Sequence, residues 1–121
     1  TGSANREFIH VDDMASACDH IMTLYRATYD KALAVNSSAD TPHSSPSFIN
    51  IGTGKDCTIK EVAEMIREIV GFTGETRYNP EQPDGTPRKL QDTSRLTSLG
   101  WAPSFSLEEG LKDAYEWYCR W

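Results

Sequence analysis

Seven residues, Pro83-Asp84-Gly85-Thr86-Pro87-Arg88-Lys89, restrict the backbone of this chain more than any other stretch. Prolines fix φ at both ends, Asp84-Gly85 tolerates positive φ, and Pro87 drives Thr86 towards an extended conformation. The turn therefore presents Arg88 and Lys89 stiffly, beside one carboxylate and the N–H groups of Gly85 and Thr86. Such a turn suits an anion, although a short basic run is equally at home as a solvated surface turn.

The rest of the chain alternates apolar runs with helix signals. Glu7 to Val11 reads as a short strand stopped by Asp12-Asp13, either of which can cap the helix that follows. Met14, Cys18, Ile21, Tyr25 and Tyr29 recur at helical spacing, which predicts one long, largely buried helix ending by Val35. Asn36 to Ser47 is polar and without periodicity, and is expected to form a mobile loop. Phe48 to Ile51 predicts a strand that ends in Gly52-Thr53-Gly54. A capping box at Thr58 and Glu61 then opens a helix with Val62, Met65, Ile66, Ile69 and Val70 on one face and Gly71 as its stop. Thr76 to Tyr78 and Leu90-Gln91 are expected as short strands. Asp92 or Thr93 caps a brief helix closed by Gly100, and a second capping box, Ser106 with Glu109, opens the last helix. Trp101, Trp117 and Trp121 are expected to pack.

Alternating strand and helix signals place the fold in the α/β class, with the Phe48 strand in a mainly parallel sheet and the later elements in a small lobe. With 121 residues, 38% of them apolar, the chain fits one compact domain or a piece of a larger protein. It begins at Thr1 and reads as cut from something longer. The net charge of -6 opposes a general nucleic-acid surface, since 12 Lys+Arg face 18 Asp+Glu. Cys18, Cys57 and Cys119 are odd in number and lack a C-x-x-C pair, which suggests neither a disulfide framework nor a zinc site and fits a reducing, cytoplasmic setting. No apolar run approaches the roughly 20 residues of a membrane helix.

Catalytic chemistry is thin. No Ser/His/Asp arrangement and no His-x-x-x-His is present. His10 could serve as a base but reads better as a structural histidine at a strand end, and His20 and His43 read as ordinary. The Asp12-Asp13 pair is accounted for by helix capping. Gly52-x-Gly54 lacks the third glycine of a dinucleotide fingerprint, because Cys57 stands at that position, and it reads as a tight turn. The reacting centre is expected to lie outside this chain.

Arg6-Glu7-Phe8-Ile9-His10-Val11-Asp12-Asp13, Asn50-Ile51-Gly52-Thr53-Gly54 and Leu99-Gly100-Trp101, with the turn from Pro83 to Leu90, together resemble the C-terminal portion of the GDP-L-fucose synthase family. The first two elements are shared widely among extended short-chain dehydrogenase/reductases acting on nucleotide sugars; the proline-bounded run is narrower. The resemblance implies a Rossmann-type enzyme that epimerises GDP-4-keto-6-deoxy-D-mannose and reduces it with NADPH, functioning as a homodimer. Its cofactor loop and catalytic residues would precede this chain, so NADP(H) would be bound mainly by that part and none of the cysteines or histidines here would be catalytic. By the same resemblance, Arg6 and Lys89 would face the phosphates of the GDP-sugar and Asp84 would be a further substrate contact. Arg88 is left out, because adjacent residues of an extended segment point to opposite sides. Two other readings stay open on the residues alone: a non-catalytic nucleotide-diphosphate sensor, and an interaction module whose basic turn docks on an acidic partner.

Overall fold

The computed structural model describes residues 1–34 and 48–121; the predicted mobile loop, with His43, lies outside them. A three-stranded sheet organises the described part. Its centre is β1 (Asn5–Glu7), flanked by β2 (Asp56–Thr58) and β3 (Arg88–Lys89). β2 runs antiparallel to β1 with Arg6 opposite Cys57, and β3 runs parallel with Asn5 beside Arg88 and Arg6 beside Lys89. The sheet is thus mixed. Backbone bonds carry the pairing past the strand ends, from Asn5 N–H to the Pro87 carbonyl at 2.8 Å and from Ile59 N–H to the Ala4 carbonyl at 3.1 Å.

Five helices surround the sheet among the described residues: α1 (Val11–Thr23), α2 (Arg26–Ala34), α3 (Ile59–Val70), α4 (Ser94–Ser98) and α5 (Leu107–Cys119). Both predicted capping boxes form in full, at Thr58 with Glu61 and at Ser106 with Glu109, and Gly71 ends α3 in the left-handed region at φ 68°. α3 packs against α5, and α2 against α4. The core is small. Ala17 of α1, Leu96 of α4 and Trp101 are buried together, with Ile9, Ile21, Ile49 and Ile51 against them. The Trp101 indole N–H is satisfied by Ser16 Oγ at 3.0 Å, which ties the loop after α4 to α1.

Several expected elements are different. The strand expected to run to Val11 ends at Glu7, and neither aspartate caps α1: His10 does, its Nδ1 accepting from Asp12 N–H at 3.3 Å. The single long helix is two, because the chain is extended at Leu24 (ψ 141°) and the Thr23 hydroxyl bonds back to the His20 carbonyl. Nor is that region largely buried, with Met22 and Tyr25 81% and 86% exposed. Residues 48–51 and 76–78 form no ladder among the described residues. The strand after the proline turn is Arg88–Lys89 and not Leu90-Gln91. Near α4 it is the Asp92 carboxylate that accepts from Ser94 N–H at 3.0 Å, while the Thr93 side chain makes no cap bond. Trp101 packs as expected, whereas Trp117 and Trp121 lie on the surface with ring centroids 6.0 Å apart.

Candidate functional site

The register of β1 and β3 sets Arg6 directly beside Lys89. Partners in a parallel ladder project from the same face, on strands roughly 4.8 Å apart. Among the described residues no carboxylate is paired with either cation. The guanidinium of Arg6 donates to its neighbour's carbonyl, Nη1 to Asn5 O at 2.6 Å, and lies against the proline turn, where a Cβ added at Gly85 would stand 3.9 Å from Nη2. Gly85 has φ 72°, as the turn chemistry requires. Arg6 and Lys89, with Asn50, Leu90 and Asp92, line an open cleft of about 510 Å³. The two cations thus stand side by side on adjacent strands, in a cleft that Glu7 and Asp92 also line, with the Glu7 carboxylate already taken by Gly54, Thr53 and Gln91.

Arg88 belongs to the opposite face. It stands beside Asn5 in the register and reaches over β1 to Asp56 on β2, with Nε 2.5 Å from Oδ2 and Nη2 3.2 Å from Oδ1. This forked pair holds the Asp56 carboxyl below the usual carboxylate range and the guanidinium above its own. Asp84 is also engaged elsewhere. Its carboxylate accepts from the Thr1 hydroxyl, from Gly2 N–H at 3.3 Å and from the Ser3 hydroxyl at 3.3 Å. The structure therefore joins Arg6 to Lys89 and turns the Asp84 side chain towards residues 1–3.

Glu7 is the residue that sequence reasoning passed over. Oε1 accepts from Gly54 N–H at 2.6 Å and from the Thr53 hydroxyl at 3.3 Å, and Oε2 from Gln91 N–H at 3.0 Å. One carboxylate thereby fastens the glycine turn and the segment after β3 to the strand that carries Arg6. A Cβ at Gly52 would lie 2.6 Å from Oε1, which explains the glycine there by close approach. The signal available in the sequence was an acidic residue in a strand next to Arg6. Because the Gly54 donor is already taken, this turn does not offer the free N–H cradle that a dinucleotide phosphate needs. This glycine turn is therefore not an NADP(H) phosphate site.

His10 is structural. Its side chain is 8% exposed, its Nε2 lies 3.3 Å from Asp113 Oδ2, and its ring stacks on Phe105 at 4.2 Å between centroids. His20 Nε2 bonds the Leu99 carbonyl at 2.9 Å. Asp13, 2% exposed, accepts from Ser104 and Phe105 N–H groups at 2.8 and 3.0 Å, so it anchors the loop before α5. No helix among the described residues is long and apolar enough to cross a membrane.

Comparison with known proteins finds relatives over nearly the whole chain. No family model matches the chain. Among curated proteins it is 43% identical over 120 residues to GDP-L-fucose synthase 1 of Arabidopsis thaliana, covering 99% of the chain and 32% of the relative. It is 43% identical over 118 residues to GDP-L-fucose synthase of Escherichia coli K12, covering 98% of the chain and 34% of the relative. The chain thus spans about a third of the length of the curated relatives it matches. Among solved structures, a GDP-6-OMe-4-keto-L-xylo-heptose reductase from Campylobacter jejuni superimposes with TM-score 0.81 at 42% identity, covering 99% of this chain and 32% of that one. A GDP-mannoheptose C4 reductase from the same organism, with NADP bound, gives TM-score 0.74 at 41% identity over 98% of this chain and 33% of that one. Along nearly its whole length, and in fold, the chain corresponds to the C-terminal portion of the GDP-L-fucose synthases, within the extended short-chain dehydrogenase/reductases.

Proposed function

We propose that this chain is the nucleotide-diphosphate-binding portion of a GDP-L-fucose synthase, which converts GDP-4-keto-6-deoxy-D-mannose to GDP-L-fucose by epimerisation and NADPH-dependent reduction. The observation that carries the proposal is the side-by-side placement of Arg6 and Lys89, without carboxylate partners among the described residues. Each cation grips the pyrophosphate, arginine as a fork and lysine as a compact charge. Asp84, in the same turn, becomes a further substrate contact only by releasing the Gly2 and Ser3 donors that hold its carboxylate in this structure. Epimerisation, hydride transfer and NADP(H) binding fall to the rest of the enzyme, and this chain supplies no catalytic group. The complete enzyme is a cytoplasmic homodimer with no nucleic-acid or membrane partner.

The similarity to GDP-heptose reductases favours a second reading of the sugar alone. The GDP moiety is common to both readings, so turnover of GDP-4-keto-6-deoxy-D-mannose against a GDP-4-keto-heptose by the complete enzyme separates them, while a panel of GDP-, UDP- and TDP-sugars tests the nucleotide itself. In that enzyme Lys89→Ala and Arg6→Ala each remove a charge-assisted hydrogen bond to the pyrophosphate, which costs roughly 1.5 to 3 kcal/mol, or about ten- to 150-fold in affinity for GDP. Bonds shared by bound substrate and transition state act on KM and leave kcat nearly unchanged. Arg88→Ala has a smaller effect. A Lys89→Ala enzyme that keeps its GDP affinity while kcat collapses overturns this assignment.

A further inference from the structure

We infer that Asp56 is a positioning residue for the diphosphate site, acting through Arg88 to hold Lys89 beside Arg6; the inference rests on the proposed GDP-binding role of that pair. β3 is only two residues long, and both of its side chains are exposed. So short a strand has few ladder bonds and no buried side chain to fix its register, and a slip of one residue would send Lys89 to the wrong face. Bonds from residues 1–3 to Asp84 and from Asn50 to the Asp92 carbonyl hold the flanking segments, but the side-chain brace on the strand itself is the fork from Arg88 to Asp56, which spans all three strands on the face away from the site. Asp56 is itself well placed as an anchor. Its side chain is 13% exposed, against 62% for Arg88, and it lies in β2 immediately before the capping box that starts α3.

Alternation then makes the two faces interdependent. With Arg88 clamped to one side, the backbone must present Lys89 to the other, in register with Arg6. The mixed sheet thus separates holding from binding: Arg88 and Asp56 neutralise each other on one face, while Arg6 and Lys89 stay available on the other. Loss of the clamp leaves both site cations in place chemically but releases the strand that carries one of them. Its consequence falls on ligand affinity through Lys89 alone, and kcat is unaffected by a grip made equally in the ground and transition states.

The test is a double-mutant cycle in the complete enzyme, with GDP affinity measured calorimetrically alongside KM, kcat and melting temperature. Asp56→Asn is expected to weaken GDP by about three- to tenfold, with the loss in KM. In a Lys89→Ala background it is expected to add nothing. The exchange of Asp56→Arg with Arg88→Asp, which restores the pair reversed, is expected to recover affinity relative to Asp56→Arg alone and to separate positioning from misfolding. Full additivity of Asp56→Asn with Lys89→Ala overturns the inference, as does unchanged GDP binding in Asp56→Asn when Lys89→Ala weakens it. If Lys89→Ala itself leaves GDP binding intact, it is the diphosphate assignment that fails, and the positioning role falls with it.

Discussion

Glu7 shows how much one side chain can organise when its donors are backbone groups. Its carboxylate takes bonds from Thr53, Gly54 and Gln91, two segments far from it in the chain. Hydrogen bonds to an ionised acceptor are worth roughly 1.5 to 3 kcal/mol each, so this network outweighs an ordinary surface contact. Its tightness appears at Gly52. A methyl there meets both carboxylate oxygens and the carboxyl carbon at 3.0 Å or less. Gly52→Ala is therefore expected to destabilise by about 1 to 3 kcal/mol, the ordinary range for overpacking, and to weaken GDP binding as Glu7 is pushed against the strand. Thermal melts and GDP titrations of the variant check both effects; an unchanged melting temperature would show that Glu7 moves aside freely. Motifs made Arg6 and Lys89 legible as a pair, whereas the bonds that commit Glu7, Asp13 and Asp56 are made to residues far away in sequence and leave no local trace.

At the scale of elements, the helix ends were the most legible part of the chain. Both capping boxes and the left-handed Gly71 follow from contacts within about four residues. The boxes also respond to pH. Thr58 holds the Glu61 carboxyl below its ordinary value of 4.5, and Ser106 does the same for Glu109. A carboxyl depressed in the folded state contributes stability that is present above the unfolded value and lost as pH falls through the folded one. Melting temperature should therefore fall on acidification below about pH 4.5. Replacing Glu61→Gln and Glu109→Gln together is expected to flatten that dependence, since the amide still caps but no longer titrates. A double variant with the parent's full acid slope would assign the dependence to other carboxylates, such as Asp56. Strands were far less legible than helix ends. Phe48 to Ile51 has the composition of a strand, yet a ladder needs a neighbour, and pairing depends on partners that composition does not name.

At the scale of the whole molecule, the described part has a small core and a large apolar surface. Val11, Ala15, Cys18 and Met22 follow one another along α1 at steps of four, three and four residues, with Val11 and Met22 71% and 81% exposed, and Tyr25, just past its end, is 86% exposed. A contiguous apolar stripe of this kind on a monomer marks a surface that becomes covered. The 121-residue chain alone is therefore expected to self-associate, with Met22→Glu shifting it towards monomer, and to show no turnover of GDP-4-keto-6-deoxymannose with NADPH. Sedimentation over a range of concentrations and a coupled NADPH assay check the two outcomes. A monomer at high concentration would mean that the stripe is tolerated in water, and turnover would mean that this chain holds chemistry not assigned to it.

The sequence by itself determined where α3 and α5 begin and where the backbone turns through positive φ at Gly85. These depend on residues a few positions apart, or on motifs read as units. Only the tertiary structure decided that β1 and β3 run parallel with Arg6 beside Lys89, that Arg88 is committed to Asp56, and that Asp84 turns towards the first residues. Those outcomes depend on register, and register is set by bonds between segments that the chain alone keeps far apart; a shift of one residue would exchange the two faces and give the site to the wrong cation.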